Sequence, residues 1–151
     1  MDSNLFDFID INKENTFFPS DKLLEKYDEN IQKAGGIDLQ ILGIGSDGHI
    51  AFNEPGTPFN SKTHVQALDP QTIKDNARWF ASIDDVPHMS VTAGLDTILH
   101  ARKIVLIATG ANKKKAVEMM LGKEDINWPA SILNRHPDVT IYLDEEANPN
   151  K

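Results

Sequence analysis

The chain has 151 residues, 40% of them hydrophobic and 25% charged, with 15 Lys and Arg against 23 Asp and Glu for a formal charge of −8. A chain this long buries roughly 68–70% of its unfolded surface, so one core stands without staples, and the absence of cysteine excludes disulfides, thiolate zinc sites and cysteine nucleophiles. The acidic balance argues against nucleic acid or an anionic membrane as the main partner, so an anionic ligand has to be met by a few local cations.

No repeat or linker-like tract divides the sequence, and a single domain over 1–151 is expected. No run approaches the ~20 apolar residues of a membrane span. The opening Met1–Ile11 carries acids where a signal peptide needs basic residues. Together with the missing cysteines this sets the expectation of a cytoplasmic protein.

Phe6, Phe8, Ile9 and Ile11 form a short apolar run that reads as a strand or a buried edge. Ser20 is placed as the N-cap of a helix carrying Leu23, Leu24, Tyr27 and Ile31 at helical spacing, ended by Gly35 and Gly36. Ile37, Leu39, Ile41, Leu42 and Ile44 then read as a strand running to Gly45. From Ser46 to about Lys62 the residues Gly48, Pro55, Gly56 and Pro58 mark a long loop of the functional kind. Ile104–Ala108 is a continuous aliphatic run typical of parallel sheets, ending at Thr109-Gly110. A helix from Lys113 to Leu121 follows, with Ala116, Val117, Met120 and Leu121 on its apolar side. Ile132 and Leu133 sit on a short helix before Pro137, and Val139–Leu143 is the last strand. Strands and helices alternating at crossover spacing predict an α/β fold with a largely parallel sheet. Ligands of such sheets bind beyond the carboxyl ends of the strands, where both Gly-rich turns, Gly43–Gly48 and Gly110–Lys113, fall.

The densest chemical constellation is Gly43-Ile44-Gly45-Ser46-Asp47-Gly48-His49-Ile50-Ala51-Phe52-Asn53-Glu54-Pro55. A histidine beside carboxylates is held in one tautomer with its cation stabilised, which suits it to carrying a proton. Asp47 or Glu54 would orient the ring, and the glycines admit a ligand close to the backbone. The plainer alternative is a turn whose Asp caps amides around a solvated His. A metal site from Asp47, His49 and His64 rests only on the weak Asp-x-His pattern. The turn Thr109-Gly110-Ala111-Asn112-Lys113-Lys114-Lys115 offers amides and a lysine to a phosphate, or else Asn112 caps the helix and the lysines are a solvated face. Arg78, beside Trp79 and Phe80, reads as an ion-pair or stacking residue on spacing alone. His64, His88, His100 and His136 have no comparable company, and Asp144-Glu145-Glu146 reads as a solvated strand exit.

The stretch Leu42 to Pro55 resembles the glucosamine-6-phosphate deaminase (glucosamine-6-phosphate isomerase) family. Related sugar-phosphate enzymes such as 6-phosphogluconolactonase share a Gly-x-Gly-x-Asp-Gly-His turn without the following Ala-Phe-Asn-Glu-Pro. Asn4–Ile11, Val86-Pro87 through Thr92–Ile98, Gly110-Ala-Asn-Lys113 and Ile141–Glu146 are similar to family segments as well, so nearly the whole chain is covered. The resemblance implies a three-layer Rossmann-like sheet flanked by helices, and conversion of glucosamine 6-phosphate and water to fructose 6-phosphate and ammonia, with no metal or organic cofactor. It implies that His49 shuttles the proton that opens the pyranose ring, assisted by Asp47 and Glu54. It also implies that Arg78 and Lys113 hold the phosphate of a small sugar phosphate, with Gly45 and Gly110 as further substrate- or phosphate-binding positions on the two turns.

Three departures stand against the family pattern. The family's N-terminal half, with its Gly-rich phosphate loop and an Asp in an Asp-Glu-Tyr context that moves the proton between C1 and C2, has no counterpart here. Asp28-Glu29-Asn30 lies on a predicted amphipathic helix and does not replace it. His64 and Gln66 occupy places where regulated bacterial members carry basic residues, so no such activation is expected. Asp96 stands where many members have Gly. The fold is therefore expected to be incomplete, with self-association or a missing N-terminal half as the partner. Two other functions compete with the deaminase: a sugar-phosphate-binding module without catalysis, and a lactonase-type hydrolase that needs no C1–C2 base.

Overall fold

The aliphatic run anticipated around 104–108 lies at the centre of the sheet. A computed structural model describes residues 2–151, with the side chains of Leu23 and Glu25 outside that description, so the anticipated place of Leu23 on a helix face lies outside it too. Strands β1 (Leu39–Leu42), β4 (Lys103–Ala108) and β5 (Val139–Leu143) form a parallel sheet in the order β1-β4-β5. Leu42 stands opposite Leu106, and Leu106 opposite Ile141. Strands β2 (His64–Ala67) and β3 (Met89–Thr92) make a separate antiparallel ribbon. The helices are α1 (Leu24–Lys33), α2 (Pro70–Asn76), α3 (Leu95–Leu99) and α4 (Lys114–Met120), joined by short 3-10 turns and a longer one at Pro129–Arg135.

The strand period of two sorts side chains to opposite faces of the sheet. On one face Leu42, Ile104, Leu106 and Ala108 are buried against Leu95 and Ile98 of α3, Ala116, Val117 and Met120 of α4, and Ile132 and Leu133. On the other, Leu39, Ile41, Ile107 and Tyr142 remain 50%, 61%, 48% and 58% exposed. Of the three layers expected, the sheet and one helical layer are therefore built, and the second face is bare. Strand β1 also pairs with β4 alone, leaving an open edge among the described residues. Fully burying one such side chain stabilises by about 1.5–3 kcal/mol, so four half-exposed ones leave substantial driving force unspent.

Two sequence expectations need correction, at the N-terminal apolar run and at Ser20. Phe6–Phe8 is a 3-10 turn with no strand pairing, and Phe8 and Ile9 are exposed, because nothing packs over them. Ser20 precedes the 3-10 turn Asp21–Leu23 that leads into α1 and makes no side-chain cap bond. Asp28 is a structural staple: its carboxylate accepts from Thr63 N, Thr63 Oγ1 and Thr97 Oγ1 at 2.9, 3.0 and 2.6 Å, fixing α1 to the loop and to α3. Asp96 meets Lys62 Nζ at 2.5 Å, so its charge is paired. Among the described residues no helix is long and apolar enough to cross a membrane.

The bare face generates a direct expectation. The purified chain should bind an environment-sensitive apolar dye and sediment above its monomer mass at micromolar concentration. Replacing both Ile41 and Ile107 by Lys should suppress both signals without loss of secondary structure. A monodisperse wild-type monomer that leaves the dye dark would contradict this description of the sheet.

Candidate active site

The loop after β1 is shaped around one imidazole. The N–H of Gly45 donates to His49 O at 2.9 Å and that of Gly48 to Gly45 O at 3.1 Å, closing a tight turn. Ile50 is fully buried and anchors the loop in the core, while Ala51 takes the left-handed conformation with φ of 51°. Asn53 Nδ2 donates to Ile50 O at 3.0 Å and to Ala93 O at 2.9 Å, and Phe52 N donates to Thr92 Oγ1 at 3.0 Å. The loop is thus tied to the segment following β3, so the ring direction is set by backbone and core rather than by solvent.

His49 Nδ1 lies 2.8 Å from Asp47 Oδ1 and 3.6 Å from Glu54 Oε2. Asp47 Oδ1 also accepts from His49 N at 3.2 Å, and Glu54 Oε1 accepts from Asp69 N at 3.2 Å. The remaining oxygens, Asp47 Oδ2 and Glu54 Oε2, are buried without a partner, which concentrates negative potential on the imidazole. Burial alone would lower the His49 pKa. The hydrogen bond to Asp47, the nearby Glu54 carboxylate and the charges of both outweigh it and raise it to about 9. Burial likewise raises Asp47, but the His49 hydrogen bond and charge overcome it and bring the carboxyl down to about 2. A side chain at Gly45 would stand 2.3 Å from His49 Nδ1 and 2.5 Å from Asp47 Oδ1, so only glycine leaves room for the pair.

The second turn is held by a carboxylate that the sequence reading assigned to solvent. Gly110, at φ of 90°, donates its N–H to Asp144 Oδ2 at 2.8 Å, and Ala147 N donates to Asp144 Oδ1 at 2.8 Å. Asp144 is therefore a brace for the turn, not a solvated strand exit. Asn112 makes no cap bond to α4. Of the three lysines, Lys114 reaches Lys151 O and Lys115 pairs with Glu118, while Lys113 lines the cleft. Arg78 sits on the 3-10 turn after α2, its guanidinium 5.1 Å from the Trp79 ring centre, so the stacking expected from its neighbours is present.

The two turns and α2 enclose one working space. A cleft of about 250 Å³ is lined by Asp75, Arg78, Thr109, Asn112 and Lys113. A second of about 250 Å³ shares Asp75, Arg78 and Lys113 and adds Gly43, Ile44, Gly45, His49, Ala51 and Asn76. The structure so brings together five sequence-named groups, Gly45, His49, Arg78, Lys113 and, through the ring, Asp47; Glu54 stands behind Nδ1, and Gly110 shapes the turn beneath Lys113. It does not bring His64, whose Nδ1 and Nε2 engage Lys62 O at 2.8 Å and Gln66 Oε1 at 3.0 Å. The Asp47–His49–His64 metal pattern is not assembled. Asp47, His49 and Glu54 do place ligand-type atoms within 4.8 Å of one another, a spacing that also admits a cation; here Nδ1 is engaged by Asp47. The sequence reading missed α2 with Asp75 and Asn76. Its signal was Asp69-Pro70, since Asp69 caps Gln71 N at 2.7 Å and proline stands in the first turn.

His49, Arg78 and Lys113 thus line one cleft at the carboxyl end of the sheet. The sequence profile of the family described as glucosamine-6-phosphate isomerases/6-phosphogluconolactonase matches residues 2–142. The chain belongs to this family. The chain is 49% identical over 154 residues to a glucosamine-6-phosphate deaminase of Shouchella clausii, covering 97% of this chain and 62% of that relative. Among solved structures, a monomeric glucosamine-6-phosphate deaminase superposes with a TM-score of 0.94 at 43% identity, over 97% of this chain and 64% of that one. A 6-phosphogluconolactonase from Trypanosoma cruzi gives a TM-score of 0.61 at 27% identity, over 82% of this chain and 49% of that one. The α/β fold with a parallel sheet expected from the sequence is the fold of this family. The chain spans less than two thirds of the length of the relatives it matches.

The half-buried pair makes stability depend on pH in a definite direction. His49 is raised from 6.5 to about 9, so its contribution is complete below pH 6.5 and is lost as the pH climbs through 9. Asp47 is lowered from 3.8 to about 2, so its contribution is complete above pH 3.8 and lost on falling through 2. Both describe one interaction, counted once and discounted for partial solvent access at about 2–3 kcal/mol. Denaturant unfolding should show that loss between pH 6.5 and 9, and His49→Ala should flatten the slope. A wild-type profile already flat across that window would refute the ion pair.

Proposed function

We propose that this chain carries the ring-opening and phosphate-holding part of a glucosamine-6-phosphate deaminase, which converts glucosamine 6-phosphate and water to fructose 6-phosphate and ammonia in amino-sugar catabolism. The carrying observation is that His49, bound through Nδ1 to Asp47, lines the same cleft as Arg78 and Lys113. The phosphate dianion is held between the guanidinium and the ammonium, which supply the local cations that a protein of net charge −8 needs. The sugar ring then lies toward His49. The imidazolium, protonated up to about pH 9, gives its proton to the ring oxygen as the C1–O bond breaks and recovers the proton of the C1 hydroxyl. Asp47 and Glu54 keep the ring oriented and stabilise its charge throughout.

The later transfer of a proton between C1 and C2 needs a further acid–base group. The family assigns it to an Asp in an Asp-Glu-Tyr context that this sequence lacks, and Asp28 is spent on Thr63 and Thr97. In this reading a complementary polypeptide supplies that group and covers the bare sheet face. The identity to deaminases supports the amino sugar over the lactone as substrate, since the lactonase likeness is weaker in both sequence and superposition. A cysteine-free chain without a membrane-length helix among the described residues supports a cytoplasmic setting.

The test is ammonia release from glucosamine 6-phosphate by this chain mixed with the N-terminal segment of a relative. Turnover is expected only with both parts present, and His49→Ala in the complemented enzyme should lower kcat by roughly 10²–10⁴-fold. Arg78→Ala and Lys113→Ala should each weaken glucosamine 6-phosphate binding by roughly 10–100-fold while leaving unphosphorylated glucosamine unaffected. Binding without turnover in the complemented protein would replace this reading with that of a sugar-phosphate-binding module. Hydrolysis of 6-phosphogluconolactone instead would replace it with the lactonase.

A further inference from the structure

Helix α2 packs against the His49 loop and touches it at three levels. Asp69 N donates to Glu54 Oε1 at 3.2 Å, Thr72 Oγ1 stands 3.4 Å from His49 Nδ1, and Asp75 Oδ2 accepts from Ser46 Oγ at 3.4 Å. The middle contact is the unusual one. Thr72 is 1% exposed, and the imidazole is the hydrogen-bonding partner of its hydroxyl among the described residues. A buried hydroxyl left without a partner is costly, and the ring nitrogen is the polar atom that Thr72 Oγ1 reaches.

Three oxygens surround Nδ1: Asp47 Oδ1 at 2.8 Å, Thr72 Oγ1 at 3.4 Å and Glu54 Oε2 at 3.6 Å. A carboxylate only accepts, so the proton shared with Asp47 resides on Nδ1, and toward that N–H the threonine oxygen also accepts. No protein group among the described residues is hydrogen-bonded to Nε2, and the ring lines the cleft. We propose that Thr72 is a positioning residue for His49, its hydroxyl helping to hold the Nδ1–H tautomer so that Nε2 is the nitrogen that exchanges a proton with the ligand. The proposal rests on the reading of His49 as a proton carrier given above. The other charged groups facing the ring are Asp47 and Glu54 from its own loop, and Asp75, Arg78 and Lys113 across the cleft.

The test compares Thr72→Val and Thr72→Ser by nitrogen-15 NMR of the imidazoles over pH 5–10, with His49 assigned from His49→Ala. In Thr72→Val the His49 pKa should fall by about half a unit or more, and the Nε2–H tautomer should appear as the ring loses its proton. Thr72→Ser should titrate as the wild type does. In the complemented enzyme Thr72→Val should lower kcat about 3–10-fold with KM unchanged and move the alkaline limb of the pH profile down with the ring. An unchanged His49 titration and tautomer in Thr72→Val overturns the proposal, as does a serine variant that behaves like the valine one. Should the valine variant fail to fold, Thr72→Ala is read in its place. A wild-type complemented enzyme that releases no ammonia defeats the deaminase reading alone, because the ring titration is measured on this chain without turnover.

Discussion

A half-buried imidazole paired with carboxylates at the end of a parallel strand is the constraint around which this molecule is arranged. Taking a cation out of water is costly unless it is paired and hydrogen-bonded, and here the two carboxylates that pair it are themselves largely buried. The geometry leaves little freedom. Asp47 must reach Nδ1 across two residues, which requires the tight turn closed by Gly45 and Gly48, and Glu54 must return from seven residues further along the loop. The left-handed backbone at Ala51 and the bonds of Asn53 to Ile50 and Ala93 are what make that return possible. The loop is the part of the chain where local preference yields most to chemistry.

The sheet then distributes the remaining parts. Parallel strands send their carboxyl ends to one rim, so the loop after β1 and the turn after β4 rise beside each other without any contact between their sequences. Helix α2, packed against the His49 loop, is the third wall, with Arg78 just beyond its last turn. In an acidic protein this matters electrostatically. Arg78 and Lys113 converge from segments that are more than thirty residues apart, so this local pair of cations is created by folding, not by composition.

Much of this was legible in residue order, for physical reasons that differ by element. The strands β4 and β5 and the helix α4 are announced by aliphatic runs and helical spacing because both are buried against one core. The His49 constellation is legible because its members lie within one loop. Arg78 and Lys113 were each indistinguishable from an ordinary surface residue until family resemblance paired them, since their partnership is tertiary. Thr72 and Asp144 were illegible: a threonine in a helix and an acid at a strand exit each have a commoner role, and only the fold aims one at an imidazole and the other at the amide of Gly110. The N-terminal phenylalanines failed in the opposite way, since a strand-like apolar run needs an adjacent strand, and Phe6–Phe8 has none here.

The bare face and the active site are coupled by their shared element. Strand β1 is the edge of the sheet, pairs on one side only, and shows Leu39 and Ile41 to solvent, yet its carboxyl end delivers the loop that holds His49. Edge strands with few buried contacts open locally at lower free energy than the centre of a sheet. Every opening of β1 would release Gly43 and Gly45 from the wall of the cleft and loosen the geometry that sustains the His49–Asp47 pair. A polypeptide that pairs with β1 and covers Leu39 and Ile41 would therefore act on the chemistry twice: through any residue it contributes, and by holding the strand from which the proton-carrying loop departs. Strand β1 thus links the open edge of the sheet to the geometry that holds the imidazole.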